Sequence, residues 1–322
     1  MSESGSAATQ WLKYGCFGCL GVLAAIVLIV GAAAGLAWQR GRAMNPQDQT
    51  LTRDLSAPAS GSAGGEISPE ALAADLPGAE KELLGGGAVR VLLDLSTADF
   101  QIEPAAPGEP LRVEGKFDPR YYSLEESYET GDESAATYRV GFRRISEWGF
   151  LTAIAEFMSG KIPEVHVYLP RDVPMDLSLS LTRGSLRAEL GGLWVRTAEI
   201  DMSVFASHIT FHEPLREPME SLKFDGRRGD FNIDALGNAS PRKVDVRCSR
   251  VGLNLDLSGP WRQDAEISID SQMGEVAVLR LPKDVNLKGL GSDVKVPTTS
   301  PDPGAPTLTF SISAKKGKLH FY

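Results

Sequence analysis

Apolar and polar residues alternate with a period of two through most of the chain after residue 90. The alternation recurs in units whose reference positions, Gly184, Ser207, Gly229, Val251 and Gly274, are 23, 22, 22 and 23 residues apart. Residues seven and five before each reference position, and two and four after it, are apolar in all five units. Such alternation indicates strands with one buried face. Each unit is therefore predicted to be a strand, a tight turn and a second strand.

A single unit of this size cannot bury its own apolar face, so the units are expected to stack on one another. The same offsets recur around Ala98, Ser292 and Gly317. We therefore predict an all-β domain over residues 88–322, a β-solenoid-like stack of 22–23-residue two-strand repeats. Cys248 falls at an inward offset and is predicted to be buried.

Residues 111–169 do not follow the repeat, and they are predicted to form an irregular insertion within this domain. Three short alternating stretches in it are typical of strands. Residues 148–159 have apolar positions at helical spacing, which predicts an amphipathic helix. We expect this helix to cover one open end of the stack, with a partner or membrane-surface contact as the alternative.

The N-terminal part of the chain has a different pattern, because residues 14–38 contain no charged side chain. As a helix of 25 residues this run would measure about 37 Å, which is enough to cross a bilayer core of about 30 Å. We predict an N-terminal tail (1–13), a transmembrane helix (14–38) and a Pro/Ala/Gly-rich linker (39–87), with the β-domain extracytoplasmic. Gly31 and Gly35 have the GxxxG spacing that favours a homodimer, although an Ala/Gly-rich segment also produces this spacing by chance.

Composition excludes several classes of protein. The formal net charge of −9 argues against a general nucleic-acid binder. Three cysteines, two of them in the apolar run, are too few for a disulfide scaffold or a four-cysteine zinc site. No sequence motif of a hydrolase, a metalloprotease or a nucleotide-binding loop is present, so neither an enzyme nor a cofactor is expected.

Stacking places residues at equal offsets in columns about 4.8 Å apart. The outward offset five residues after the reference gives an acidic column, which would bind a divalent cation or provide carboxylates for glycoside chemistry. The offset one residue before the reference gives a basic column, which would bind anionic glycans or lipid headgroups. A solvated strand face and edge-protecting charges are the respective alternatives. The acidic column comprises Glu189, His212, Asp234 and Asp256, and the basic column comprises Arg183, Arg228 and Arg250.

The units LDLSTADFQIE, LSLSLTRGSLRAEL and LKFDGRRGDFNID resemble the bacterial β-strand-repeat domains filed as a domain of unknown function and as putative adhesins. This family is similar to membrane-anchored modules found near envelope-stress systems. The resemblance implies a β-solenoid-like fold and brings no catalytic residues with it.

Together, these observations predict a membrane-anchored, non-enzymatic β-repeat protein with a scaffolding, adhesion or envelope-sensing role. Its expected partner is an envelope protein or a glycan. Two alternatives remain open. One is a glycan-active β-helix enzyme, a hydrolase or lyase that uses the acidic column, and the other is a self-polymerising solenoid.

Overall fold

The computed structural model describes residues 7–55, 88–129, 136–145, 149–290, 304–316 and 318–321. Two α-helices and a short 3-10 turn (Leu236–Asn238) accompany a sheet that contains most of the described chain. The helices are α1 (Ala7–Ala43) and α2 (Gly149–Ser159). The strands are β1 (Gln47–Arg53), β2 (Val89–Pro104), β3 (Leu111–Phe117), β4 (Tyr122–Glu129), β5 (Thr137–Arg144), β6 (Glu164–Leu169), β7 (Met175–Glu189), β8 (Val195–Thr210), β9 (Ser221–Gly226), β10 (Gly229–Asp234), β11 (Lys243–Ser249), β12 (Val251–Asp256), β13 (Ala265–Gln272), β14 (Glu275–Leu279), β15 (Asn286–Lys288), β16 (Thr307–Lys315) and β17 (Lys318–Phe321).

Each repeat is one coil of a curled, mostly parallel sheet. A coil has a first strand, a bend and a second strand, and both strands lie parallel to those of the next coil. Val246 pairs with Ile269 in the first strands and Leu253 with Val276 in the second strands, at the predicted offset of 23 residues. Phe224 and Phe231 meet across the bend of one coil, edge to face, with ring centroids 5.2 Å apart. The inward rows of both strands thus form one continuous apolar core.

The predicted register is wrong in β8 by two residues. The structure pairs Leu186 with Ser207, and Ser207 with Phe231, so Ser207 lies in a buried row and not at the bend. Phe205 occupies the bend position, opposite Gly229. A slip of two residues keeps every side chain on the same face of the sheet. The alternation of apolar and polar residues therefore cannot detect it.

The segment predicted as an irregular insertion contains an additional coil. Strand β5 lies parallel to the first half of β2, and β6 lies parallel to its second half. Helix α2 is inserted between β5 and β6, where the other coils have their bend. The helix is therefore confirmed, and the segment is more regular than predicted.

Antiparallel strands cover the same end of the parallel stack. Strand β4 pairs with β5, β3 pairs with β6, and β1 pairs with β3. Strand β1 comes from the segment predicted as a linker. It forms a full antiparallel register with β3, from Gln47 opposite Phe117 to Arg53 opposite Leu111.

The C-terminal end of α1 is fixed to this covered end of the stack. Arg120 Nη2 donates a hydrogen bond to the carbonyl oxygen of Ala43 at 2.6 Å, and Lys161 Nζ donates one to that of Met44 at 2.7 Å. Cations at the last carbonyls of a helix satisfy their hydrogen bonding and interact favourably with the helix dipole. The junction between α1 and the sheet is therefore an ordered, charge-stabilised contact.

Helix α1 requires a correction to the membrane prediction. In the part of the chain that the structure describes, no helix is both long and apolar enough to cross a membrane. The finding contradicts the transmembrane helix at 14–38 and the single-pass membrane location.

Other predictions concern residues outside the described ranges. Residues 1–6 of the predicted tail and 56–87 of the predicted linker are among them, as is Gly317. The weak repeat around Ser292 lies partly there; its described part, β15, pairs with β16. The homodimer through Gly31 and Gly35 stays a prediction, because the structure contains one copy of the chain.

Candidate functional site

The outward face of the second strands carries a row of polar side chains three residues after each bend. Strand pairing makes the members direct neighbours across the sheet. Three of the four histidines of the chain lie in this row, because it continues through Ala277 to His320. In spatial order the polar row is His166, Gln101, Arg187, His208, Asn232 and Asn254.

A groove of about 560 Å³ lies over the part of this face formed by β6, β2, β7, β8 and β10. Its lining combines the polar row with the outward row one residue after each bend. That second row contributes Glu164, Asp99, Ser185, Ala206 and Asp230. We call this feature the groove. Since its side chains project from paired strands, their positions are set by the backbone register.

Several polar groups of the groove are held by hydrogen bonds within the sheet. Ser185 Oγ donates to Asp99 Oδ1 at 2.7 Å, and His208 Nε2 lies 2.7 Å from Asp234 Oδ2. Arg187 is exposed, and the described residues show no ion pair to it. Its guanidinium has no hydrogen-bond acceptor among the described residues, so its donors are available to a bound molecule.

Three carboxylates and one guanidinium give the groove a negative charge. Asp99, Glu164 and Asp230 are exposed, and Arg187 is the cation among them. An anionic ligand would meet like charge at most positions along the groove. The arrangement suits an uncharged or amine-bearing ligand with many hydroxyl groups.

The predicted acidic column is not a row of free carboxylates. The slip in β8 places Thr210, not His212, between Glu189 and Asp234 in the sheet. His212 lies two residues further along and reaches back to Glu189, with which its Nδ1 forms a close contact. Asp234 is paired with His208, as described above.

The Glu189–His212 pair shifts the pKa values of both side chains. Burial alone would raise the pKa of Glu189, but hydrogen bonds from His212, Thr210 and the Gly191 amide outweigh burial and lower it. The hydrogen bond to the Glu189 carboxylate raises the pKa of His212. The pair therefore favours a carboxylate and an imidazolium, which is a structural ion pair and not an acid and base set for catalysis.

Asp256, the last member of the predicted column, is a buried residue. Only 1% of its surface is exposed. Arg280 Nη1 binds Asp256 Oδ2 at 2.6 Å, and the Ser258 amide donates to Oδ1 at 2.9 Å. Among the described residues, no group of three or more His, Cys, Asp or Glu side chains is arranged to hold a metal ion.

The predicted basic column does form a line. Arg183, Arg228 and Arg250 are exposed and lie at the bends of three coils, with Val204 in the coil between the first two. Lys316 continues the line in the last coil, and Met273 lies between it and Arg250. No ion pair to any of the four basic residues is found in the described part of the chain.

One of the remaining predictions can also be checked in the structure. Cys248 is buried as predicted, with 3% of its surface exposed, and burial raises the pKa of its thiol to about 12. The groove was not predicted, although Arg187, His208 and Asn232 share one spatial row. The repeat offsets did not reveal this polar row, because His208 follows the slipped register of β8 and His166 lies in the segment predicted as irregular.

Comparisons with known proteins identify no family. No protein-family model matches the chain, and no curated protein matches it. Among solved structures, it is similar to one titled a putative cell adhesion protein from Clostridium sporogenes, with 13% identity and a TM-score of 0.40 over 86% of this chain and 99% of that one. It is also similar to one titled a putative adhesin from Parabacteroides distasonis, with 8% identity and a TM-score of 0.23 over 86% and 97% of the two chains. Likenesses this weak carry no argument about function.

Proposed function

We propose that the protein is a non-enzymatic, adhesion-like binding protein that holds an uncharged or amino-sugar glycan in the groove. The observation that carries this proposal is the polar row on adjacent paired strands. Guanidinium, amide and imidazole groups at strand spacing offer planar hydrogen-bonding partners to successive hydroxyl groups of an extended chain. A scaffolding or envelope-sensing role, which the sequence also predicts, would depend on the same binding of a glycan in the groove.

The charge of the groove supports the choice of ligand. Asp99, Glu164 and Asp230 oppose an acidic polymer, while they accept hydrogen bonds from hydroxyl and amine groups. A lysine-rich peptide would satisfy the same charges. Its lysine side chains are donors only, whereas every sugar hydroxyl can also accept from the exposed Arg187 guanidinium, so we rank the glycan first.

The alternative of a glycan-active enzyme has less support. Both glycosidase mechanisms need a pair of carboxyl groups that face a common bond. Here Glu189, Asp234 and Asp256 each have a separate side-chain partner, namely His212, His208 and Arg280. Hydrogen bonds lower the pKa of Glu189, whereas a general acid requires a raised pKa.

The test is a binding titration of the wild-type protein and two variants with neutral and N-acetylated oligosaccharides. Arg187→Ala removes a central donor of the groove. Arg247→Ala is the matched control, since Arg247 is an exposed arginine on the outward face of the first strands. We expect Arg187→Ala to weaken binding by about tenfold, the equivalent of about 1.4 kcal/mol, and Arg247→Ala to leave it unchanged.

Three results would contradict this function. The first is equal loss of binding in both variants, which would place the ligand elsewhere. The second is a preference for a lysine-rich peptide over every oligosaccharide. The third is cleavage of a bound oligosaccharide, which would show an enzyme.

A further inference from the structure

The bends of the coils form a basic line on a protein that is acidic as a whole. The two residues before each bend lie side by side in successive coils, as shown by the pairs Arg183–Val204, Ser249–Gln272 and Gln272–Lys315. From β7 to β17 these positions contain six basic residues and no acidic one, although the chain carries a net charge of −9. The six, which we call the bend ridge, are Arg183, Arg227, Arg228, Arg250, Lys315 and Lys316.

The four arginines of the ridge do not protect a sheet edge, whereas Lys315 and Lys316 lie in the last coil. Arg228 and Arg250 lie in coils that pair with a coil on either side, so no open edge is near them. Nor does local backbone conformation favour them. Arg250 and Lys316 have positive φ angles, +61° and +57°, a region that glycine or asparagine adopts at lower cost. The basic side chains therefore need another explanation.

The ridge residues are also available for binding. All six are exposed. Arg227 forms an ion pair with Asp201 at 3.2 Å, whereas the other five show no ion pair in the described part of the chain. Guanidinium groups bind carboxylate and sulfate oxygens in pairs, which makes exposed arginines suitable for anionic groups.

Acidic rows flank the ridge on both sides and limit the shape of its ligand. Asp201, Asp225 and Asp270 lie near the ends of first strands, in a row that also contains Arg247. Asp230 and Glu275 lie at the start of second strands. A wide polyanion, such as duplex nucleic acid or a lipid surface, would meet these carboxylates as well as the ridge. A thin chain with its charges in one line would meet the basic residues alone.

We propose that the bend ridge binds a linear anionic glycan, a polymer of sugars with carboxylate or sulfate groups, which lies across the coils. Arg228 and Arg250 belong to adjacent coils and are about 4.8 Å apart along the stack, whereas Arg183 and Lys316 span five coil steps, or about 24 Å. The site is separate from the groove, which lies on the face of the second strands. It goes beyond the proposed function, because the groove disfavours anionic ligands.

The experiment measures binding of oligogalacturonate and of dextran sulfate to the full chain by calorimetric titration, with neutral dextran as the uncharged reference. The ridge variant combines Arg183→Gln, Arg228→Gln and Arg250→Gln. Its control combines Lys223→Gln, Lys243→Gln and Arg247→Gln, three exposed basic residues on the outward face of the first strands, with the same change of charge. Single substitutions at Arg183 and Arg228 replace the triple variant if it fails to fold.

We expect the ridge variant to bind the anionic polymers about tenfold more weakly, because three exposed ion pairs are lost. The control variant should bind them as the wild type does, and added salt should weaken wild-type binding. Comparison of the two polymers distinguishes carboxylate from sulfate recognition. Equal losses in the ridge and control variants, equal binding of neutral dextran, or tighter binding of duplex DNA or of anionic lipid vesicles would each overturn the proposal.

Discussion

Replacing Gly184 with alanine tests whether the bends of successive coils stack as the structure shows. Gly184 has a φ of +132°, and a Cβ atom added there would lie 2.0 Å from the carbonyl oxygen of Ala98 in the neighbouring coil. A side chain at positive φ costs about 1–2 kcal/mol. Overpacking against backbone that cannot move freely adds about 1–3 kcal/mol. We therefore expect Gly184→Ala to lower the free energy of unfolding by about 2–5 kcal/mol, a large part of the about 5–15 kcal/mol of a typical domain.

Gly108 provides the matched control, because its φ is +78° and no atom lies within 4 Å of an added Cβ. Gly108→Ala should lower the free energy of unfolding by the conformational cost alone, which is about 1–2 kcal/mol. The assay is urea unfolding of the two variants and the wild type, followed by circular dichroism. If both substitutions lower the free energy of unfolding by the same amount, the backbone of Ala98 does not lie against Gly184. The stacking of the bends is then refuted.

Three other predictions concern buried and paired polar groups. Ser271→Ala should raise the free energy of unfolding by about 1 kcal/mol, since the buried hydroxyl has no hydrogen-bond partner among the described residues; a lower denaturation midpoint would contradict this. Glu156→Ala should lower the free energy of unfolding by about 3–5 kcal/mol, as it removes a carboxylate that binds both the largely buried Arg144 guanidinium, 2.9 Å away, and the Tyr122 hydroxyl; an unchanged midpoint would show that these contacts do not form. NMR titration should find the pKa of His212 above its usual value in the wild type and normal in Glu189→Gln; an unshifted wild-type value would exclude the ion pair.

The pH dependence of the Glu189–His212 pair follows from the directions of the two shifts. The raised pKa of His212 means that its stabilising contribution is present at low pH and is lost as pH rises through that pKa. The lowered pKa of Glu189 means that its contribution is lost as pH falls through its own pKa. The pair therefore stabilises the fold most between these two values.

Much of the fold follows from the sequence because alternation reports which face of a strand is buried. From β9 onward, the paired residues are those at equal predicted offsets, for example Val244 opposite Ile267 and Leu255 opposite Val278. The register of β8 could not be obtained in this way. Its inward row contains Ser207, while the apolar Ile209 and Phe211 fit a register slipped by two residues equally well.

The coil formed by β5 and β6 was hidden for another reason. Helix α2 occupies the position of a bend of a few residues, so the spacing between the two strands no longer matches the repeat. The pairing of β1 with β3 joins residues more than 50 positions apart and has no local signal in the sequence. Both features depend on contacts made only in the folded chain.

The candidate site was predictable only in part. The basic line at Arg183, Arg228 and Arg250 follows directly from the offsets, because an exposed bend position is the same in every coil. The acidic column did not persist as a free surface, since His212, His208 and Arg280 pair with its members. The repeat offsets identify which residues are neighbours along one column. They do not show which side chains form ion pairs with residues of another column.

The central claim is that the groove is a binding site and not merely a solvated strand face. The most direct measurement is the affinity of wild type, Arg187→Ala and Arg247→Ala for the same neutral or N-acetylated oligosaccharide. The account predicts loss of about tenfold in Arg187→Ala and none in Arg247→Ala. Equal affinity in all three proteins would contradict it.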